Sequence, residues 1–447
     1  MLFRSTATCG DPPCRAHPAE APAPVEAKRL RDLSPLQWRS GIAAWLGWLF
    51  DGLELHLYTL VATPLVVQLL QAPGPSAPEV KEKTAYIQAA FLVGWAVGGA
   101  FFGRLGDLLG RSRALALTVL TYAICTGLCA FAQTWWQLMI FRFVAALGIG
   151  GEWAVGASLL AETWPRAWRP WLAAVLQTGV NLGVLAGAAI VAGLSVVLPP
   201  GSERWVFLVG VVPAFLVFYI RRHVPEPETW KRAEASVGHH NPGAGALFRG
   251  AIRSTTLRTT IVCALGLSAW WLFLFWHPQH FRKLLAAEGL PAGEVTRLVS
   301  LSFFLVNAVS IAGNFLAGWL ARRLGYRRAI VLMFAGLGLS IIGAFGAPRG
   351  FAPLAWFWCP LVGLFAGVYG LFTMYLPPLF PTLLRTSGAG FCYNIGRIAA
   401  AVASVVFGLL APVGDFRGAL LWSGVIGIAA ALGSLWLPER TQEEEPA

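Results

Sequence analysis

Five acidic or arginine side chains of this 447-residue chain stand well inside long apolar runs: Asp51, Glu54, Arg142, Glu152 and Arg397. Asp51 and Glu54 are three apart, so a helix would put them on one face, while His56 would point elsewhere. Two carboxyls confined together tend to share one proton, because both cannot ionise side by side. Such a pair suits proton coupling; the plainer alternative is a buried acid paired with an arginine to fix packing. Glu152 sits in Gly148-Ile-Gly-Gly-Glu-Trp, where small residues allow close helix contact, and is a second candidate protonation site. Arg397 has Asn394 at i−3, and Gln177 and Asn181 share a face at i, i+4. A guanidinium is always charged and forks toward carboxylates, so this amide-and-arginine set predicts a site for a small anion. The alternative is an ion pair between Arg397 and an acid of the other half. Trp276 lies with His277 just before Pro278 in a run rich in aromatics; it could line the same site or belong to an interfacial belt.

These charges need elements that can hold them. An ionisable group at the centre of a bilayer costs about 2.5–3.5 kcal/mol, so each one calls for a reason. The chain is 56% hydrophobic and 13% charged, with mean hydropathy +0.62. A soluble domain carries about 25% charged residues, so this one cannot cover a water-facing surface. A soluble enzyme, a nucleic-acid binder and a disordered scaffold are excluded. Twelve apolar spans predict twelve transmembrane helices, at 38–70, 84–103, 114–132, 137–160, 171–195, 205–220, 259–280, 298–320, 329–347, 355–376, 387–410 and 418–436. A polar linker at 221–257 divides six spans from six. The expected organisation is therefore a disordered cytosolic tail (1–37), a six-helix bundle (38–220), the linker, a second bundle (258–438) and a short tail (439–447). Cys9 and Cys14 lie in the first tail and are assigned no function.

Net charge is +12, and the basic residues sit mainly in the links. With the N-terminus inside, the inner loops hold 17 Lys and Arg and the outer loops 8. The positive-inside bias thus predicts that both termini and the linker face the cytoplasm, in a cell (inner or plasma) membrane.

The two halves repeat. Gly103-Arg-Leu-Gly-Asp107-Leu-Leu-Gly110-Arg111-Ser-Arg113, between spans 2 and 3, matches Gly318-Trp-Leu-Ala-Arg-Arg-Leu-Gly325-Tyr-Arg-Arg328 at an offset of 215 residues. Glu162-Thr-Trp-Pro165-Arg-Ala-Trp-Arg169 matches Pro378-Leu-Phe-Pro381-Thr-Leu-Leu-Arg385 at 216. A six-helix unit is used twice, in parallel. The first loop resembles the signature loop of the major facilitator superfamily. Arg142, the segment Pro225-Glu-Pro-Glu-Thr-Trp230, and Leu437-Pro-Glu-Arg-Thr441 sit where that superfamily has related motifs. Phe50-Asp-Gly-Leu-Glu54 and the glycine-rich stretch before Glu152 resemble its sialate, metabolite and aromatic-acid proton symporter branches. Three positions depart from the pattern: Leu108 for a cation, Ala146 for the first glycine of span 4, and Pro378 for a glutamate.

The resemblance implies an all-α membrane protein of two six-helix bundles related by a pseudo-two-fold axis, rocking about a central cavity. It implies a transporter, not an enzyme, with no cofactor or metal. It also implies that Arg142 pairs with a span 1 acid and modulates its proton affinity. The reading is proton-coupled symport of a small organic anion such as a carboxylate, aromatic acid or acid sugar. Asp51, Glu54, Arg142 and Glu152 would couple protons, and Gln177, Asn181, Trp276, Asn394 and Arg397 would bind substrate. Gly103, Asp107, Gly110, Arg111 and Arg113 would form a gating loop. The partners are then substrate, protons and membrane lipid, without nucleic acid, and the chain acts as a monomer. A uniporter or exporter of a neutral sugar-like or drug-like solute, and a transport-dead nutrient sensor, remain as alternatives.

Overall fold

Serine and proline set where the first long helix begins. In the computed structural model, which describes residues 29–73, 77–197, 199, 202–237, 242–410 and 416–439, helix α1 (Pro35–Leu70) starts at a capping box. Ser34 Oγ accepts from the Gln37 N–H (3.3 Å) while Gln37 Oε1 accepts from the Ser34 N–H (2.7 Å), and Pro35 occupies the first turn. The helix therefore takes in residues 35–37, which the sequence reading gave to the tail. Residues 29–33 form a separate small unit around a 3-10 turn, Leu30–Asp32, where the Arg29 N–H donates to Asp32 (3.0 Å). The rest of the N-terminal tail, with Cys9 and Cys14, and residues 440–447 lie outside the described residues.

From Ser34 onward the described residues make twelve helical crossings. The first six are α1, α2 (Pro78–Leu109), α3 (Arg111–Cys129), α4 (Trp135–Thr163), α5 (Arg169–Val197) and α6 (Ala214–His223), the last continuing a 3-10 stretch at Glu203–Val211. The linker is not plain coil, since α7 (Glu228–Val237) lies within it. The second six begin with α8 (Ile252–Ala287), which runs through Pro278, then α9 (Ala292–Leu324) and α10 (Tyr326–Phe345). The tenth crossing comes in pieces: α11 (Phe351–Pro353), a π-helical turn (Leu354–Trp358), α12 (Cys359–Phe365) and α13 (Val368–Tyr375). Helices α14 (Arg385–Leu410) and α15 (Phe416–Ser434) complete the chain. Ten crossings contain an apolar stretch fit to span a membrane. The other two, α1 and α14, carry the interior charges of spans 1 and 11. At 36 and 26 residues, rising about 1.5 Å each, they also exceed a hydrocarbon core of about 30 Å.

Packing follows the repeat. In the first half α1 lies along α5, α2 along α4, and α3 along α4 and α6. In the second half α8 lies along α14, α9 along α12, and α10 along α15, which are the same pairs one repeat later. The halves meet along α2–α14 and, symmetrically, α5–α9. This is the architecture of two six-helix bundles related by a pseudo-two-fold axis.

Missing side chains bring these helices together. A β-carbon on Gly150 would run into the backbone of Trp95 and Gly99, and one on Gly390 would lie 3.0 Å from Ala154 Cβ and 3.2 Å from the Gly99 carbonyl carbon. Between helices with no water to expel, close backbone approach is the main source of attraction. Gly150→Val should therefore destabilise the fold by about 1–3 kcal/mol, seen as a lower thermal midpoint of the purified protein. Gly243→Val, where nothing among the described residues lies within 4 Å of the added β-carbon, should leave the midpoint unchanged.

Candidate functional site

Glu54 and Arg142 are both fully buried, and the Arg142 guanidinium donates directly to Glu54 Oε1. Thr126 Oγ1 donates to the same oxygen at 2.7 Å, and the guanidinium lies over the Phe91 ring, 4.4 Å from its centroid. Helices α1, α3, α4 and α2 each supply one group. The pair is closed and holds its four helices in register.

Asp51 has a different neighbour from the one the spacing suggested. With Glu54 engaged by Arg142 and Thr126, the carboxyl facing Asp51 is that of Glu152, across from α4, with the Tyr122 hydroxyl beside it. The i, i+3 rule placed Asp51 and Glu54 together on a helix face; the cation from α4 then claims only the outer acid. Gly47, one turn before Asp51, makes room for Glu152, since a β-carbon there would overlap its carboxyl. Both Glu152 oxygens, Asp51 Oδ1 and the Tyr122 hydroxyl are buried without a hydrogen bond of ordinary geometry. Asp51 is ringed by protein yet only half-buried, so it borders interior space open to a water-sized molecule.

Arg397 lies within electrostatic reach of Asp51, from the other half of the chain. Its guanidinium donates to Asn394 Oδ1 (2.6 Å) and stacks over Trp95 (4.0 Å to the centroid) and Tyr393 (4.9 Å). Asn394 in turn donates to the Gly390 carbonyl (2.8 Å) and packs on Gly99 of α2. Tyr393 is stacked flat on Trp153 of α4, with centroids 4.1 Å apart and planes 10° from parallel. Asn181 sits at the matching place in the other interface, donating to Ser310 Oγ of α9 (3.3 Å). Asn181 and Arg397 are 216 residues apart and their partners Trp95 and Ser310 are 215 apart, so the two contacts are one position seen twice. Gln177 is half-buried one turn before Asn181, beside Gly370 and near Asn314.

Trp276 is not part of this group: it stacks on Phe416 at the start of α15 (5.6 Å) and packs against Phe275. The rings that do approach Arg397, Trp95 and Tyr393, with Trp153 behind them, went unnoticed in the sequence. Tyr393 adjoins Asn394, and Trp95 is one repeat before Ser310; the second relation becomes visible only once Ser310 is known to matter. The side chain of His56 lies outside the described residues.

At one end of the molecule the halves are tied together. Asp107 accepts from the backbone N–H groups of Thr386 (3.1 Å) and Ser387 (2.8 Å), capping the first turn of α14 from the opposite half. A carboxylate there satisfies orphan donors and meets the positive end of the helix dipole. Arg111 bridges Asp107 (3.0 Å), Glu162 (2.9 Å) and the Thr382 carbonyl (2.5 Å), and Arg385 reaches Glu162 at 3.3 Å. Gly103 admits the Thr386 carbonyl, 3.0 Å from where a β-carbon would stand. Gly110, at φ +100°, makes the turn into α3. Arg113 differs from the reading of it as a gate residue: its backbone N–H donates to Glu226 (2.9 Å), while its side chain is exposed. Glu226, which also accepts from the Ser112 N–H (3.0 Å), caps α3 as Asp107 caps α14.

The sequence model of the Major Facilitator Superfamily matches residues 56–383. The chain belongs to that superfamily: it is a multi-pass membrane transporter and not an enzyme. The probable 4-methylmuconolactone transporter of Cupriavidus pinatubonensis is 30% identical over 407 residues, covering 90% of this chain and 88% of its own. The sialic acid transporter NanX of Escherichia coli is 25% identical over 391 residues, covering 84% and 88%. Among solved structures, the proton:xylose symporter XylE bound to 6-bromo-6-deoxy-D-glucose superposes with a TM-score of 0.74 at 18% identity, covering 92% of this chain and 98% of that one.

Two outcomes follow from these contacts. Glu54→Gln takes the anion from a buried guanidinium and should destabilise the protein by about 3–5 kcal/mol, whereas Glu54→Gln with Arg142→Gln should cost less than the two single changes added together. Thermal unfolding of the four proteins of that cycle measures the coupling. Asp107→Ala removes the cap on α14, and the amides of Thr386 and Ser387 should then exchange hydrogen roughly five- to thirtyfold faster, read by mass spectrometry.

Proposed function

We propose that this transporter is a proton-coupled symporter of a small organic anion, a carboxylate, aromatic acid or acid sugar, working by alternating access. One observation carries the reading: Arg397 lies within electrostatic reach of Asp51 across the two halves, and Glu152 is beside Asp51. A guanidinium in a water-poor interior needs an anion. While Asp51 is ionised it serves as that anion. A substrate carboxylate arriving at Arg397 competes for the same cation and leaves Asp51 beside Glu152 with its compensation withdrawn. Two carboxyls so placed take up a proton and share it. Substrate and proton thus bind together. Asn394 orients the fork of Arg397, and Asn181 with Gln177 offers amides at the symmetric position for the rest of the molecule. The names of the relatives, a muconolactone and a sialic acid transporter, support a small oxygenated acid as cargo.

The same reading makes Asp107, Arg111, Glu162 and Arg385 the closed gate of one side, with Gly103 and Gly110 shaping its loop. By the loop charges that side is the cytoplasmic one, with both termini and the linker there, and the first bundle, the linker and the second bundle are the rocking parts. The closed Glu54–Arg142 pair neighbours the proton site and tunes it through its field.

The experiment is transport and binding in proteoliposomes with a panel of carboxylates and neutral sugars. Arg397→Lys keeps the charge but loses the fork and should weaken anion binding about tenfold or more; Arg397→Gln should abolish it. Asp51→Asn should end accumulation driven by a pH gradient while exchange of substrate across the membrane persists. If Arg397→Gln binds its substrate with near-normal affinity, the cargo is not an anion.

A further inference from the structure

A groove of about 420 Å³ runs along the outside of the first half, between α3 and α6, and ends at the turn that Glu226 caps. Its apolar walls are Leu117 and Leu120 from α3 and Val217 from α6. On α3 the residues Arg113, Leu117 and Leu120 form one exposed stripe at i, i+4, i+7, and on α6 Val217 and Arg221 are likewise one turn apart. Both stripes read apolar toward the middle of the helix and end in an arginine at the same mouth. Arg113 and Arg221 are exposed, and among the described residues neither guanidinium is in a salt bridge. The acid at that mouth, Glu226, is already turned onto the N–H groups of Ser112 and Arg113. Phe218, 73% exposed next to the groove, marks this face of α6 as one that meets hydrocarbon.

We infer that this groove is a binding site for an anionic phospholipid. An acyl chain would lie along Leu117, Leu120 and Val217, while Arg113 and Arg221 clamp the phosphate from two helices. A free phosphate would use the two guanidinium groups but leave the apolar trough uncovered. A zwitterionic lipid would bring an ammonium against two arginines. The phosphodiester of an acidic lipid fits both the charge and the shape. The site lies away from Arg397 and Asp51 and does not depend on what the transporter carries. It does touch the turn into α3, so an occupied groove would brace Arg111 from the lipid side.

The test is lipid retention by the full-length protein in detergent, read by native mass spectrometry with added phosphatidylglycerol, phosphatidylcholine or inorganic phosphate. A basic residue near a membrane surface favours acidic lipid by about fivefold, so Arg113→Gln or Arg221→Gln should weaken phosphatidylglycerol retention by about that factor and the double variant about thirtyfold. Val217→Trp fills the trough and should also expel the lipid with both arginines intact. Arg222→Gln, one residue outside the groove lining, should change nothing. The proposal fails if the double variant retains phosphatidylglycerol within about twofold of the unaltered protein, or if Arg222→Gln loses as much, which would mean general surface charge. It also fails if phosphatidylcholine responds equally to the arginine changes, or if millimolar inorganic phosphate displaces the lipid, because phosphate alone would then be the ligand.

Discussion

A charge held inside a bundle embedded in hydrocarbon must be answered by another charge or by converging hydrogen bonds. Nearly every specific feature of this transporter follows from how that demand is met. Within the first half Arg142 answers Glu54, and the pair cements four helices. Around Asp51 and Arg397 the answers are only partial. Arg397 has an amide, two aromatic faces and a distant carboxyl, and Glu152 has a carboxyl neighbour where a cation would satisfy it better. Opposite charges in direct contact make a fixed structure. Partly compensated ones leave a place for a mobile charge, and the proposed symport rests on that difference.

The repeat supplies shape, and departures from it supply chemistry. Asp107 caps α14, but one repeat later, at the α5–α9 contact, the matching residue is the cation Arg322. Arg385 grips Glu162, while its counterpart Arg169 turns to the carbonyls of Ala161 and Trp164 because Pro378 stands where a second glutamate would be. Asn181 and Arg397 occupy equivalent sites, one neutral and one charged. A parallel repeat offers two equivalent interfaces between the halves, and the asymmetry puts both the ionic latch and the proposed anion site in one of them, α2–α14.

The latch and the central site share a helix. α14 begins in the cap made by Asp107 and reaches Arg397 three turns on, while α2 carries Asp107 at its end and Trp95 three turns before it. Gly99, Gly103 and Gly390 let these two helices touch backbone to backbone between those points. Movement that opens the latch must therefore slide or tilt the surfaces that hold Arg397 against Trp95. The proposed gate and the proposed site are thus joined through glycine spacing and a single carboxylate cap.

Much of this was legible in the sequence, because the bilayer permits few solutions. Twelve apolar runs, the 215-residue offset, the signature loop and the rarity of interior charges pointed to the crossings, the pairing of the halves and the residues worth watching, while α1, α2, α8 and α9 extend past the ends of their apolar runs. What the sequence could not fix was which charge faces which. Helical spacing put Asp51 beside Glu54 on one face, but the partner of each was chosen by helices packed alongside: α4 delivers Arg142 to one and Glu152 to the other. The same holds for Trp276, whose aromatic neighbourhood along the chain resembled a binding surface until α15 was seen to cover it, and for Trp95 and Tyr393, unremarkable in sequence and brought to Arg397 by the α2–α14 contact. Side-chain type and depth are properties of one helix and can be read along it. Partnership is a property of rotation and translation between helices, which here is set by glycines that let distant backbones meet.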